Sequence, residues 1–236
     1  QLFIFGGRMG GTTTFSGKGT SGETGDLMVL DTQLETWTKW EPAGSELPEA
    51  RSFHAMCSAG PPDSGHIYLF GGCGDSGRLN DLWQFNPRSA SWSCLHPGSA
   101  ALKGRGGASL VASTDGSRLF LLFGFSGAQQ GDIAVFDLET REWQILPQED
   151  QCGDVPSPRS VFSATVVESG AKGEAIIFGG ERVASDLGHE GAGEFAADVH
   201  ALDLETLHWR TLDVEGTSPR PRGWGGGMAA VSDESV

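Results

Sequence analysis

The sequence FIFGG, at Phe3 to Gly7, is the first of four short apolar runs that end in glycine and define the repeat unit of this chain. The others are YLFGG at Tyr68 to Gly72, LLFGF at Leu121 to Phe125 and IIFGG at Ile176 to Gly180. Short runs of aromatic and aliphatic residues bounded by turn residues are typical of β-strands, and glycine adopts backbone conformations that other residues avoid. Each run therefore predicts a strand that ends in a tight turn.

Three further signals recur in the same order around these runs. An acidic residue opens a segment of alternating polarity, a single tryptophan follows a few residues later, and an arginine precedes the next apolar run. The acidic residues are Asp26, Asp81, Asp132 and Asp198, the tryptophans are Trp37, Trp92, Trp143 and Trp209, and the arginines are Arg51, Arg105, Arg159 and Arg222. Each unit thus predicts four short strands, and no segment has helical periodicity.

Units of about 50 residues with a di-glycine and one tryptophan resemble the Kelch repeat, which forms one blade of a β-propeller. A four-stranded sheet cannot cover both of its faces alone, so blades pack radially with the tryptophan between neighbours. We predict one all-β Kelch propeller domain, a fragment of about four blades from a ring of five to seven. Its expected units are roughly 1–50, 51–104, 105–158, 159–221 and 222–236.

The composition argues against several classes of protein. Lys and Arg number 16 against 31 Asp and Glu, which gives a formal net charge of −15. Such a chain offers no basic stripe to a nucleic acid and is repelled by an acidic membrane surface. The longest apolar run, Leu119 to Phe123, is too short to span a bilayer. The cysteines form no CxxC pair, so a reducing, cytoplasmic location is expected.

The four repeat arginines are the first candidates for a functional site. Each opens the first strand of a unit, and in an antiparallel meander that position lies on the same face of the disc as the end of the second strand. They are therefore expected around one mouth of the central channel, where planar guanidiniums suit sulfate, phosphate or carboxylate. The alternative is that each arginine ties blades together by binding carbonyls and acidic side chains such as Asp203 or Glu205.

The loop from Glu181 to Asp198 carries the densest group of acidic and histidine residues in the chain. Within it, Glu181, Asp186 and His189 offer two carboxylates and one imidazole. This donor set suits Fe(II) or Mn(II) better than structural zinc, which prefers thiolates and more histidines. The alternative is a solvated acidic loop that binds no metal.

Cys73 is a further candidate on the same face of the disc. It directly follows a di-glycine, and His54 could serve as its base, although no third residue that would orient the histidine is identifiable. The alternative is an inert thiol at a blade turn.

In their order along the chain, these motifs resemble those of the plant glucosinolate specifier proteins and their fungal or bacterial relatives. That family comprises the nitrile-, epithionitrile- and thiocyanate-forming Kelch proteins. The matching segments are ARSFHAM at Ala50 to Met56, RGGAS at Arg105 to Ser109, PSPRSVF at Pro156 to Phe162, IIFGGE at Ile176 to Glu181, HEGAGEF, ALDLETLHW, and PRGW at Pro221 to Trp224. The resemblance implies a six-bladed propeller whose open face binds Fe(II) and holds the sulfate of a thiohydroximate with arginines.

The resemblance also implies a position for the iron, in a loop motif Glu-x-x-x-Asp-x-x-x-His. Glu181 and His189 match the outer positions of that motif. The motif requires its acid at position 185, where this chain has Ser185, and Asp186 follows one residue later. The expected metal ligands are therefore Glu181, Asp186 and His189, with an offset in the middle ligand.

Two functions follow as hypotheses. In the first, the chain binds Fe(II) and a small sulfated or otherwise anionic ligand, and directs breakdown of a thiohydroximate-type substrate to nitrile. Arg105 and Arg159 would then bind the anion, and Arg51, Arg222 and Trp224 would line the pocket. In the second, the chain is a non-catalytic Kelch module that presents its loop face to a protein partner. A mouth of arginines and metal ligands favours the first hypothesis, whereas an apolar, aromatic rim favours the second.

Overall fold

The computed structural model describes residues 1–9, 22–44, 46–61, 65–186, 193–224 and 227–230. Within these ranges the chain forms mainly antiparallel sheets that follow one another along the sequence, and the only helical turn is a 3-10 turn at Gln148–Asp150. The all-β prediction is confirmed. No helix in the described part of the chain is long and apolar enough to cross a membrane.

The first two sheets belong to the first two repeats. The first sheet consists, in order, of β1 (Leu2–Phe5), β2 (Leu27–Asp31) and β3 (Thr36–Trp40). The second consists of β4 (Arg51–Ser52), β5 (Ala55–Ala59), β6 (His66–Gly74), β7 (Gly77–Asn86) and β8 (Ser91–His96). Both β4 and β5 pair with β6, so the strand that begins at the repeat arginine is interrupted before it continues as β5.

The third and fourth repeats form two further sheets and a small hairpin. The third sheet consists of β9 (Ser109–Ala112), β10 (Arg118–Leu122), β11 (Ile133–Asp137) and β12 (Glu142–Leu146). The fourth consists of β13 (Cys152–Gly153), β14 (Ser163–Val167), β15 (Glu174–Phe178), β18 (Val199–Asp203) and β19 (His208–Thr211). Between β15 and β18, the strands β16 (Glu181–Val183) and β17 (Glu194–Phe195) pair as a hairpin. This hairpin follows the turn at Gly179 and Gly180, and we call the side of the repeats that carries the di-glycine turns the loop face.

The same turn joins one strand pair in each of the four repeat sheets, namely β2–β3, β7–β8, β11–β12 and β18–β19. The last residue of the inner strand is Asp or Asn, and its side-chain oxygen accepts the backbone N–H groups two and three residues further on, at 2.7 to 3.4 Å. These residues are Asp31, Asn86, Asp137 and Asp203. Such side-chain turns stabilise tight hairpins, which explains why the alternating segments end in an acid or amide.

The repeat tryptophans pack between neighbouring repeats. The rings of Trp92 and Phe5 meet edge to face with centroids 5.2 Å apart, and those of Trp143 and Phe70 do so at 5.6 Å. Trp209 stacks on Phe123 at 5.6 Å and is fully buried. The predicted inter-repeat role is confirmed for these three tryptophans, whereas Trp37 is 51% exposed.

The third repeat is out of the register that LLFGF suggests. The N–H of Gly124 donates to the carbonyl of Arg159 at 2.9 Å. The second glycine of every other repeat makes the same bond, from Gly7 to Arg51, Gly72 to Arg105 and Gly180 to Arg222. Gly124 is therefore the second glycine, and Phe123 holds the position of the first, with a φ of 54°. The alignment of LLFGF with FIFGG is wrong by one residue.

Candidate functional site

Three of the four repeat arginines are buried inside the repeats. Arg51 illustrates the arrangement: its Nε donates to the carbonyl of Glu49 at 2.9 Å, and its Nη1 donates to the carbonyl of Gly71 at 3.0 Å. Its two terminal nitrogens donate to the two carboxylate oxygens of Asp81 at 2.7 and 2.8 Å. Arg105 makes the same contacts with Asp132, and Arg159 makes them with Asp198. All three arginines are at most 1% exposed.

These contacts make each arginine an internal tie. The guanidinium joins the start of the first strand, the di-glycine turn and the repeat aspartate, which lies within β7 in the second repeat and directly before β11 and β18 in the next two. The structure therefore gives each arginine side chain a tying role inside its own repeat, not between neighbouring blades, and the partners are the repeat aspartates. Asp203 caps a hairpin turn instead, by accepting the N–H of Glu205. The geometry lends no support to anion binding by Arg105 and Arg159, because their donors point at carbonyls and carboxylates within the fold.

The aspartates of two of these pairs have lowered pKa values. Burial raises the pKa of Asp81, but the hydrogen bonds and charge of Arg51 outweigh burial and hold that pKa below its ordinary value. The pKa of Asp198 is lowered by the same balance, with Arg159 and His200 as the opposing groups. These two carboxylates are therefore ionised at neutral pH, and the pairs are charged.

Arg222 differs from the other three arginines because it is exposed. Its Nε donates to the carbonyl of Arg220 at 3.0 Å, as Arg51 does to Glu49, and its carbonyl accepts the N–H of Gly180. Within the described part of the chain, no carboxylate pairs with its guanidinium. Its backbone thus matches the repeat, while its side chain is not enclosed.

The residues two positions after the arginines surround the mouth. Gly107 donates its N–H to the carbonyl of Phe53 at 2.9 Å, Val161 donates to Gly107 at 2.7 Å, and Trp224 donates to Val161 at 3.0 Å. We call these four residues the collar. Their φ angles lie between 51° and 64°. Three of them are not glycine, and side chains held in the left-handed region cluster at functional sites.

The collar lines a cavity of about 160 Å³ at the loop face. The cavity is also lined by Cys73, Arg78, Phe125, Ser160, Glu181 and Ser185. The rings of Phe53 and Trp224 meet edge to face with centroids 5.8 Å apart. The guanidinium of Arg78 lies 5.0 Å from the ring centroid of Phe125. The mouth is therefore apolar and aromatic, with one arginine at its rim.

The expected metal ligands are not brought together among the described residues. Glu181 is 6% exposed and lines the cavity, where its Oε1 accepts the N–H of Gly193 at 3.0 Å. Ser185 also lines the cavity, while Asp186 is exposed and does not. His189 lies outside the described residues. The described part of the chain contains no group of three His, Cys, Asp or Glu that could hold a metal ion. Because His189 is not among the described residues, the ligand set of Glu181, Asp186 and His189 stays a prediction.

Cys73 and His54 are both held in their neutral forms. Burial raises the pKa of the Cys73 thiol, although Arg78 opposes this effect. Burial, assisted by the charge of Arg51, lowers the pKa of His54 to about 4. A neutral thiol is a poor nucleophile, and the structure therefore favours the inert alternative.

Among the cavity residues that sequence reasoning missed are Phe53, Phe125, Val161 and Arg78. A signal existed for Phe53 and Val161, because each lies two positions after a repeat arginine, as Gly107 does. No comparable signal marks Phe125 or Arg78. Arg78 lies at the start of β7, and Phe125 forms an isolated β-bridge with Gly106. The two residues belong to adjacent repeats, so their contact depends on how those repeats are placed.

Successive antiparallel sheets tied by buried arginine–aspartate pairs, with an inter-repeat tryptophan, define a Kelch-repeat protein. The chain belongs to the KLHDC2/KLHL20/DRC7 Kelch-repeats domain family, whose family model matches residues 1–180.

The chain is similar in sequence to several proteins with different names. The chain is 28% identical to N-(sulfonatooxy)prop-2-enimidothioate sulfolyase of Thlaspi arvense, over 95% of this chain and 64% of that protein. It is 27% identical to acyl-CoA-binding domain-containing protein 4 of Arabidopsis thaliana, over 94% of this chain and 30% of that protein. It is 30% identical to the dynein alpha chain, flagellar outer arm, of Chlamydomonas reinhardtii, over 82% of this chain and 4% of that protein. The resemblance to the specifier proteins is confirmed, and the chain spans less than two thirds of each relative.

Proposed function

We propose that this chain is a Kelch binding domain whose loop-face cavity takes one side chain of a peptide segment from a protein partner. The observation that carries the proposal is the collar, in which four successive repeats each place one residue at the same apolar mouth. A cavity of about 160 Å³ has the size of a single large side chain. Protein interfaces concentrate their binding energy in such desolvated pockets.

The relatives support a binding role. The matching region makes up 30% of the acyl-CoA-binding domain-containing protein and 4% of the dynein chain. A module that recurs as a small part of proteins with different names fits recognition better than one fixed reaction. The buried arginines point the same way, since they leave the mouth to apolar side chains.

Selection of displayed peptides against the purified chain tests this function. We expect enriched peptides to lose binding to Val161→Asp, which places a charge in the collar at a φ that aspartate tolerates. Val214→Asp is the matched control, because Val214 is 52% exposed and is not among the cavity residues. The proposal would be contradicted if the enriched peptides bound both variants with the same affinity as the parent chain.

Specifier-type chemistry with Fe(II) is the second candidate function. It is favoured by the similarity to the sulfolyase across 95% of this chain and by the position of Glu181 in the cavity wall. Its proposed ligands are Glu181, Asp186 and His189. Anaerobic Fe(II) titration of the parent chain and of His189→Ala tests the metal, and nitrile yield from a glucosinolate treated with myrosinase tests the reaction. Absence of Fe(II) binding by the parent chain would remove this candidate.

A further inference from the structure

The cavity contains a carboxylate that forms no ion pair in the described part of the chain, although Arg78 lines the same cavity. Glu181 is 6% exposed, and one hydrogen bond, from the N–H of Gly193 at 3.0 Å, reaches its Oε1. No described Lys, Arg or His forms an ion pair with it, whereas Arg51, Arg105 and Arg159 each pair with an aspartate. Buried charges are normally paired, because burial removes them from water. The cavity wall is therefore suited to a positively charged group.

The walls around this carboxylate are aromatic. Phe53, Phe125 and Trp224 line the same cavity, and the faces of such rings attract cations. Arg78 already lies over Phe125 at 5.0 Å, so one ring face at this mouth accommodates a cation. An organic ammonium ion, with an apolar stem and a charged end, fits these walls better than a metal ion that needs several oxygen or nitrogen donors.

Resting on the proposed function, we propose that the side chain taken by the cavity is a lysine of the partner peptide, free or methylated. Its ammonium group lies against the Glu181 carboxylate, and its alkyl stem lies along the collar rings. The net charge of −15 favours approach of a basic segment. Arg78 is exposed at the rim, where it repels the incoming charge and makes binding reversible.

Peptides that differ at one position test the inference. In a fixed glycine–serine frame, that position carries lysine, trimethyl-lysine, norleucine or glutamate, and binding is measured by fluorescence anisotropy. We expect lysine or trimethyl-lysine to bind about ten-fold more tightly than norleucine, and glutamate to bind least. The comparison of lysine with trimethyl-lysine distinguishes the free from the methylated source.

Matched variants locate the effect. Glu181→Gln keeps the shape of the side chain and an oxygen for the Gly193 N–H, and it should abolish the preference for lysine over norleucine. Glu194→Gln, an exposed acid on the same hairpin, should leave the preference intact. Arg78→Ala should raise affinity for the lysine peptide a few-fold. Phe125→Leu provides a second disruption of the cavity, and it should weaken trimethyl-lysine binding.

The outcomes separate the two levels of the proposal. Equal binding of norleucine and lysine, or strongest binding of glutamate, overturns the lysine anchor. The same holds if Glu181→Gln leaves the preference unchanged. In each of these cases the binding domain stands if displayed peptides still depend on Val161. Absence of any collar-dependent peptide overturns both levels.

Discussion

Val161 donates its backbone N–H to the carbonyl of Gly107 at 2.7 Å, and the two residues hold the same position in successive repeats. The same bond joins Gly107 to Phe53 and Trp224 to Val161, so the collar is one continuous hydrogen-bonded ring segment. The arginine two positions earlier is buried in three of these repeats. The arginine and the collar residue therefore act together. The buried arginine holds the start of the strand in place, and this places the collar residue at the cavity.

The tie predicts a large loss of stability when one arginine is removed. Arg105→Ala leaves Asp132 without its partner and should lower the free energy of unfolding by about 3–5 kcal/mol. Urea denaturation measures this loss. Arg118→Ala is the control, because Arg118 is 42% exposed and lies 3.8 Å from Asp137, and it should cost less than about 1 kcal/mol. Equal losses in the two variants would show that Arg105 is not a tie.

The lowered pKa of Asp81 predicts how stability depends on pH. Because that pKa is lower in the folded chain than the unfolded value of about 3.9, ionised Asp81 stabilises the fold above about pH 4. This contribution disappears as the pH falls through the folded value. Asp81→Asn should therefore lower stability at pH 7 and flatten its decline below about pH 4, as measured by urea denaturation across this range. The exposed Asp150, changed to Asn, should leave the pH profile of the parent chain unchanged.

The repeat pattern predicted the fold because every unit carries the same signals in the same order. A strand ending in glycine, an acid, a tryptophan and an arginine recur, and each has a local or inter-repeat packing role that follows from its chemistry. The error at LLFGF arose because Phe123 occupies a position with positive φ that glycine holds in the other repeats. Sequence alone favours glycine there, and only the hydrogen bond from Gly124 to Arg159 reveals the register.

The site was less predictable than the fold. The sequence placed the arginines near the mouth, but it gave no sign that Arg51 and Asp81, 30 positions apart, would pair inside the repeat. Burial of that pair argues against an anion site, because a guanidinium whose donors are bound by a carboxylate is not available to a ligand. Conversely, the guanidinium of Arg78 lies over the ring of Phe125 only because the second and third repeats pack against each other.

Two equivalent glycines offer a matched test of backbone crowding. Gly7 and Gly72 both donate to a repeat arginine and have φ angles of 100° and 99°. A Cβ at Gly72 would lie 2.6 Å from the carbonyl oxygen of Ser52, whereas a Cβ at Gly7 would meet no atom of the described residues within 4 Å. Both alanine variants carry the same backbone strain, so Gly72→Ala should cost about 1–3 kcal/mol more than Gly7→Ala. Thermal and urea unfolding measure the difference, and equal costs would mean that strain alone governs this position.

We expect a further loss of stability when the side chain of Gln151 is removed, since it bridges the third and fourth repeats. Its Oε1 accepts the indole N–H of Trp209 at 2.9 Å, and its Nε2 donates to the carbonyl of Gly131 at 2.7 Å. Gln151→Ala leaves both groups unpaired next to a fully buried tryptophan, and it should lower the free energy of unfolding by about 1–3 kcal/mol. Urea denaturation followed by tryptophan fluorescence measures the loss.

Gln144→Ala, at an exposed strand position, is the control for this prediction and should be nearly neutral. Gln151→Glu adds a sharper comparison, because it keeps an acceptor for Trp209 but removes the donor to Gly131. The indole nitrogens of Trp92 and Trp143 are buried and have no hydrogen-bond partner among the described residues, so the fold tolerates this defect in two repeats. If Gln151→Ala proves as neutral as Gln144→Ala, the bridge contributes nothing, and aromatic stacking on Phe123 alone holds Trp209 in place.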